Sequence, residues 1–373
     1  MIIYNIHTHI FTVKNVPNNF LPLGLNHILK PDIVRKPLSW IFRKAIPFTD
    51  RDFIERYVNF LKISSNKSQE DVFNILRGYY PQQGTDTTKF VILPMDMRYM
   101  AAGKVPESVD TQHQDLAALR DKYPDTVIPF VAVDPRSVDD KNGDDPLAFA
   151  KKYIEVYKFK GIKLYPPLGY YPTDERLYPV YEYAEKNNIP MLSHCSRGGV
   201  HTKKVTKDML KTHPWRPTPL RKSKAKVFSD YFTEPENYRQ VLKDFPKLKI
   251  CLAHFGGDTE WDKYLFESWD PNGSAEKSWL ATIVDLMKEF PNLYTDISST
   301  LFKTEEYFPL LNVLLEDNKI NKQILFGSDY YMVERDKLRE RDMSIRIRAN
   351  LGPVKFKQIA NDNPVKFLES PAK

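Results

Sequence analysis

Two cysteines, Cys195 and Cys251, are all that 373 residues contain. So few thiols cannot form a disulfide framework, which points to a reducing, cytoplasmic setting. No apolar run approaches the ~18 residues of a membrane helix. An apolar strand beginning at Ile2 leaves no room for a signal peptide. No Gly-x-Gly-x-x-Gly follows an early strand, so a dinucleotide-binding sheet lacks support. No Gly-x-Ser-x-Gly occurs, so nothing suggests a Ser-His-Asp triad. Charge is unevenly spread. Between His201 and Lys226 nine Lys and Arg residues face one acid, Asp208, giving +8 of a net +7, so the rest of the chain sums to −1. A basicity this local argues against nucleic acid as a partner and for a solvated face, or for steering of an acidic small molecule.

The 42% hydrophobic content supports a sizeable core. Eight apolar runs read as strands: Ile2–Ile6, Lys89–Met95, Val127–Val133, Gly161–Tyr165, Ile189–His194, Lys249–His254, Asn292–Ile297 and Gln323–Gly327. Helical periodicity lies between most of them, as in Thr111–Tyr123, Arg176–Asn187, Pro235–Phe245 and Lys277–Phe290. Alternation of this kind predicts a parallel sheet, and eight units favour a closed (β/α)8 TIM-type barrel over an open doubly wound sheet. Such a barrel needs ~250 residues. The surplus falls in a helical insertion, 10–88, after the first strand and a basic loop insertion, 196–234, after the fifth. In the first, capping-box patterns at Thr49-x-x-Asp52 and Ser68-x-x-Asp71 announce helices that pack on the core or cover a site. The whole of 1–373 is expected to form a single domain.

Barrel chemistry sits at the carboxyl ends of the strands. Those ends carry His7 and His9, Lys163, His194, His254 and Asp329. In a regular strand His7 and His9 share a face with Ile3 and Asn5. Singly, each histidine reads as a satisfied polar residue. Converging on one mouth, they describe a divalent metal centre, with zinc the best match and manganese or iron less so. The cation would bring a bound water toward pKa ~7, and Asp329 would serve as ligand and general base. Alternation turns Cys195 and Cys251 outward as core thiols.

His7-x-His9, Gly161-Ile-Lys163-Leu-Tyr165-Pro166, Leu192-Ser-His194, Leu252-Ala-His254-Phe-Gly-Gly257 and Phe326-Gly-Ser-Asp329 resemble the amidohydrolase superfamily. The resemblance is strongest to its branch of small-acid decarboxylases, lactonases and amidohydrolase-related proteins. It spans residues 1 to 368 in the family's order, leaving 10–88 and 196–234 unmatched. It implies one or two metal ions held by His7, His9, His194 and Asp329. His254 is then a second-metal ligand or an orienter of water or substrate. Lys163 is a carboxylated bridge, or else an amine turned to an anionic substrate. Asp296 is read as structural, a hydrogen-bond partner to a neighbouring strand end.

Arg197, just before Gly198 and Gly199, and Tyr165 are candidates for substrate binding. The expected function is metal-dependent hydrolysis of an ester, lactone or amide in a small, acidic substrate. The alternatives are non-oxidative decarboxylation of an unsaturated or aromatic acid, and a non-catalytic metal-binding barrel. Neither a membrane nor nucleic acid is an expected partner, and assembly into a homo-oligomer is left open.

Overall fold

Eight runs rich in Val, Ile and Leu form eight strands, and each pairs in parallel with its successor. They are β1 (Ile2–Thr8), β2 (Thr87–Ile92), β3 (Val127–Val133), β4 (Gly161–Leu164), β5 (Met191–Ser196), β6 (Ile250–Gly256), β7 (Leu293–Asp296) and β8 (Ile324–Leu325). The computed structural model describes residues 1–20, 63–80, 86–139, 145–211, 213–266, 276–302, 305–331 and 340–369. The first and last strands close the ring: Ile6 N–H donates to Phe326 O at 3.0 Å and Asp329 N–H to His7 O at 2.8 Å. Thr8 and Tyr330 form a further parallel bridge. The result is the expected (β/α)8 barrel.

Two apolar layers hold it. Inside, Tyr4, Ile6, Val91, Leu93, Phe130, Leu192, Cys251 and Leu325 fill the barrel. Phe367 and Leu368, from the helix Asn363–Leu368, join this interior. Near them Asn361 bonds Ile2 O and Asn363 bonds Ile324 O, so the helix plugs the amino-terminal end of the strands. The opposite end is left to the chemistry. Outside, residues of opposite parity such as Ile3, Ile162, Leu164, Leu252 and Cys195 meet the helices.

Helix Gln69–Gly78 begins with the capping box expected at Ser68 and Asp71, and buries Val72, Phe73 and Leu76. Phe73 packs edge-on against Phe90 of β2. The Thr49 capping box lies outside the described residues. Helix Asp258–Phe266 was not anticipated: its only buried residues are Glu260 and Trp261, too few to show a repeat. The last long helix, Glu340–Lys357, is interrupted at Gly352 (φ +68°), just before Pro353. Among the described residues no helix is long and apolar enough to cross a membrane.

Candidate metal centre

Strict alternation would spoil this site, and two bulges rescue it. On β1 the interior residues are Tyr4 and Ile6, so His7 ought to face the helices. Between Asn5 and Thr8, however, β1 carries one residue more than β2. Such a bulge re-aims the side chains beyond it. His7 and His9 therefore point together as expected, but Ile3 and Asn5 do not share their side. On β6 the register shifts again after His194↔Ala253, and His254 and Phe255 adopt φ of +70° and +46°. That turn brings His254 inward although Ala253 is already inward. It also corrects the expectation for Cys251: this thiol faces the barrel interior, 3.7 Å from Asp296 Oδ2. Cys195 does face outward, donating to Thr233 O at 3.2 Å.

The partners of each ring fix its tautomer. His7 Nδ1–H donates to Asp296 Oδ2 at 3.0 Å and His9 Nδ1–H to Leu93 O at 2.8 Å. Both Nε2 atoms then carry lone pairs. They lie 3.3 Å apart, and Asp329 Oδ1 sits 3.6 Å from the first and 3.3 Å from the second. Three acceptors with no proton between them repel one another. A tetrahedron with arms of about 2.1 Å has edges of about 3.4 Å, so a cation of zinc size fits where these atoms converge. His7, His254 and Asp296 also approach one another. There the Nδ1 protons and the Ser298 hydroxyl bridge the groups, so that trio is a hydrogen-bonded support rather than a second cation cage.

Asp296 is the hub of that support. Its carboxylate receives His7 Nδ1–H, the backbone N–H of His254 at 3.0 Å and that of Ser298 at 3.0 Å. The Ser298 hydroxyl also donates to it. Burial opposes its ionisation, yet the interactions with His7, His254 and Ser298 hold its pKa well below the usual carboxylate range. Burial keeps His7 neutral, its pKa lowered to about 3. Burial opposes the ionisation of Asp329 too, yet the surrounding His9, His254 and His7 rings hold its pKa down. It adopts φ of +63°.

His194 and His254 meet each other rather than the first trio. His254 Nδ1–H donates to Ser298 O at 3.1 Å, and its Nε2 lies 3.1 Å from His194 Nδ1. His194 Nε2 contacts the Ser196 hydroxyl at 3.2 Å. The His7 and His254 rings are 4.7 Å apart, so both groups of histidines belong to one mouth. Lys163 points inward and is 1% exposed, and its Nζ has no hydrogen-bond partner among the described residues. Burial lowers its pKa to about 8. A small cavity beside it is lined by Asp96, Asp134, Tyr165 and Tyr170. The Tyr165 ring stands 4.8 Å from that of His194. Arg197 already grips a carboxylate of its own chain: Nε donates to Glu260 Oε1 at 2.5 Å while the guanidinium lies 4.3 Å over Trp279.

The basic loop runs across this mouth. A Cβ on Gly199 would stand 3.3 Å from Tyr165 Oη and 3.4 Å from the His194 ring. Lys203 N–H donates to Met100 O and Thr202 N–H to Pro167 O. Sequence reasoning gave no role to Asn5 or Ser298. Ser298 lies two residues past the end of β7, a position that would have marked it, whereas Asn5 is in the middle of β1 and is marked only as a polar residue in an apolar strand.

A sequence profile described as Amidohydrolase matches residues 6–369. No curated protein matches the chain. Among solved structures, a probable 2-pyrone-4,6-dicarboxylic acid hydrolase from Acinetobacter baumannii, with citric acid bound, superposes with a TM-score of 0.55 at 11% identity, covering 99% of each chain. The 5-carboxyvanillate decarboxylase of Sphingomonas paucimobilis gives 0.53 at 12%, covering 99% of this chain and 98% of that one. The 4-oxalomesaconate hydratase of Rhodopseudomonas palustris gives 0.50 at 17%, covering 98% and 95%. At these identities the likeness is one of fold.

Proposed function

The chain belongs to the amidohydrolase family, and from that premise we propose that it is a metal-dependent hydrolase cleaving an ester, lactone or amide in a small acidic substrate. The convergence of His7 Nε2, His9 Nε2 and Asp329 Oδ1 carries the reading. A divalent cation, zinc before manganese or iron, would supply there a lowered pKa for water and a pull on the substrate carbonyl. Asp329 accepts the proton of the attacking water and returns it to the leaving group. Asp296 keeps the proton of His7 on Nδ1, so Nε2 stays a donor of electrons. His194 lies beside the trio with its Nδ1 against His254 Nε2, and it would join the ligand set only on leaving that contact. That would free His254, tethered through Nδ1 to Ser298 O, to orient water or substrate with Nε2.

Tyr165 and Lys163 face the substrate side. A buried amine with a depressed pKa has two uses: carboxylation to bridge a second cation, or capture of a substrate carboxylate. Arg197, held by Glu260, is assigned to the rim, where its remaining N–H groups would meet an acidic group. Two buried free thiols agree with a reducing, cytoplasmic setting.

The alternative is non-oxidative decarboxylation. It is favoured by the single compact trio, which suits one cation gripping the substrate directly. The test is metal analysis of the purified protein followed by two panels. Turnover of esters, lactones or amides supports hydrolysis; release of CO2 from unsaturated or aromatic acids supports the alternative. Tight metal binding without turnover in either panel would leave a binding protein.

A further inference from the structure

Asn5 lies under the centre, 0% exposed, and touches both strands that supply its ligands. The bulge in β1 and the sharp turn after β8 leave two backbone N–H groups outside the sheet ladder, those of His7 and Ser328. Asn5 Oδ1 accepts both, at 3.4 Å and 3.0 Å. Its Nδ2 donates to Ser328 Oγ at 2.8 Å, and that oxygen accepts from Tyr330 N–H at 3.3 Å. The carboxamide thus brackets Asp329 from both sides while holding the backbone of His7. Asp329 needs such a bracket, because a left-handed backbone at a residue other than glycine is strained and persists only when its surroundings impose it. Asn5 is oriented in turn from below: Nδ2 also reaches Tyr80 Oη at 3.2 Å and Glu340 Oε1 at 3.4 Å, and the Tyr80 hydroxyl donates to the same Glu340 oxygen at 2.5 Å.

We propose that Asn5 is a positioning residue, whose carboxamide sets the spacing between the β1 histidines and Asp329 and thereby the affinity of the centre for its cation. This rests on the metal-centre reading above. An amide is required because one end must accept two backbone N–H groups while the other donates toward Glu340. Asn5→Asp keeps the accepting oxygen but sets a carboxylate against Glu340. Adding Glu340→Gln exchanges amide and carboxylate between the two positions and restores a donor.

The test compares wild type, Asn5→Ala, Asn5→Asp and Asn5→Asp/Glu340→Gln after chelation. Zinc affinity is read by competition with a chromophoric chelator, cobalt(II) geometry by its visible spectrum, and fold by thermal unfolding of the chelated proteins. Both single variants are expected to bind zinc about 10–100-fold more weakly, with an altered cobalt spectrum, and the double variant to regain most of the loss. Wild-type affinity in a folded Asn5→Asp protein, or a double variant no better than Asn5→Asp, would overturn the proposal. Should Asn5→Ala not fold, the Asn5→Asp pair still decides. Failure of the wild type to bind either metal would instead remove the metal-centre reading itself.

Discussion

A histidine ligand is defined by what its other nitrogen does. In His7 that nitrogen belongs to Asp296, which receives four hydrogen bonds from N–H and O–H groups and is 0% exposed. Asp296→Asn would present an amide that can point N–H at Nδ1 and drive the ring proton onto Nε2. Metal affinity should fall about 10–100-fold, measured by chelator competition, with the fold intact by circular dichroism. Asp329→Asn removes the proton acceptor, and kcat should drop about 10²–10⁴-fold at saturating zinc. The histidines themselves were legible in the sequence because each stands at the end of an apolar run. Their orientation was not. Period-two reasoning fails where a bulge inserts a residue, and both bulges fall at ligand-bearing strand ends. The same failure misplaced Cys251, which faces inward in step with Ala253, while the break beyond it turns His254 inward as well. Asp296 was legible only as a partner to a neighbouring strand, since neither spacing nor composition tells which histidine it will meet.

Helices with a clear apolar stripe were read to within a few residues; helix Asp258–Phe266 was missed because its inner face holds a charged residue. Glu260 is buried there by accepting from Trp279 N–H and Arg197, a pairing between distant segments that no local pattern announces. The cap of helix Gln69–Gly78 was legible, and Ser68→Ala should cost about 1 kcal/mol in urea unfolding with kcat unchanged. Helix Val109–Lys122 carries a pH-sensitive joint. His113 Nδ1–H donates to Val109 O at 2.6 Å and its Nε2 accepts Ala132 N–H of β3 at 2.9 Å. Only the neutral ring does both, and burial lowers its pKa to about 4. The unfolded chain takes up a proton at this site near pH 6.5. This contribution is therefore intact above pH 6.5, is lost as pH falls toward 4, and amounts to about 3 kcal/mol at most. His113→Gln should lower stability at neutral pH yet flatten its decline over that window, as read from unfolding midpoints across pH.

The barrel as a whole was legible from eight strand runs, because parallel strands buried on both faces read as continuous apolar stretches. What lies over its mouth was not, since loop paths depend on contacts such as Lys203 N–H with Met100 O that leave no trace in periodicity. If the basic loop steers an acidic substrate, kcat/KM should decline with rising salt from 0.01 to 0.15 M ionic strength, where the Debye length shortens from about 30 to about 8 Å. Charge reversal at Lys203 and Lys204, which halves the +8 of the segment, should weaken that dependence. Closure of the ring joins segments 323 positions apart, Asn5 to Ser328. Both ends of the centre therefore come from the two strands that meet last in chain order. A nascent polypeptide still missing its final strand would own His7 and His9 but no Asp329 to set against them. Cation capture accordingly reports a finished molecule, and metal loading should follow synthesis rather than accompany it.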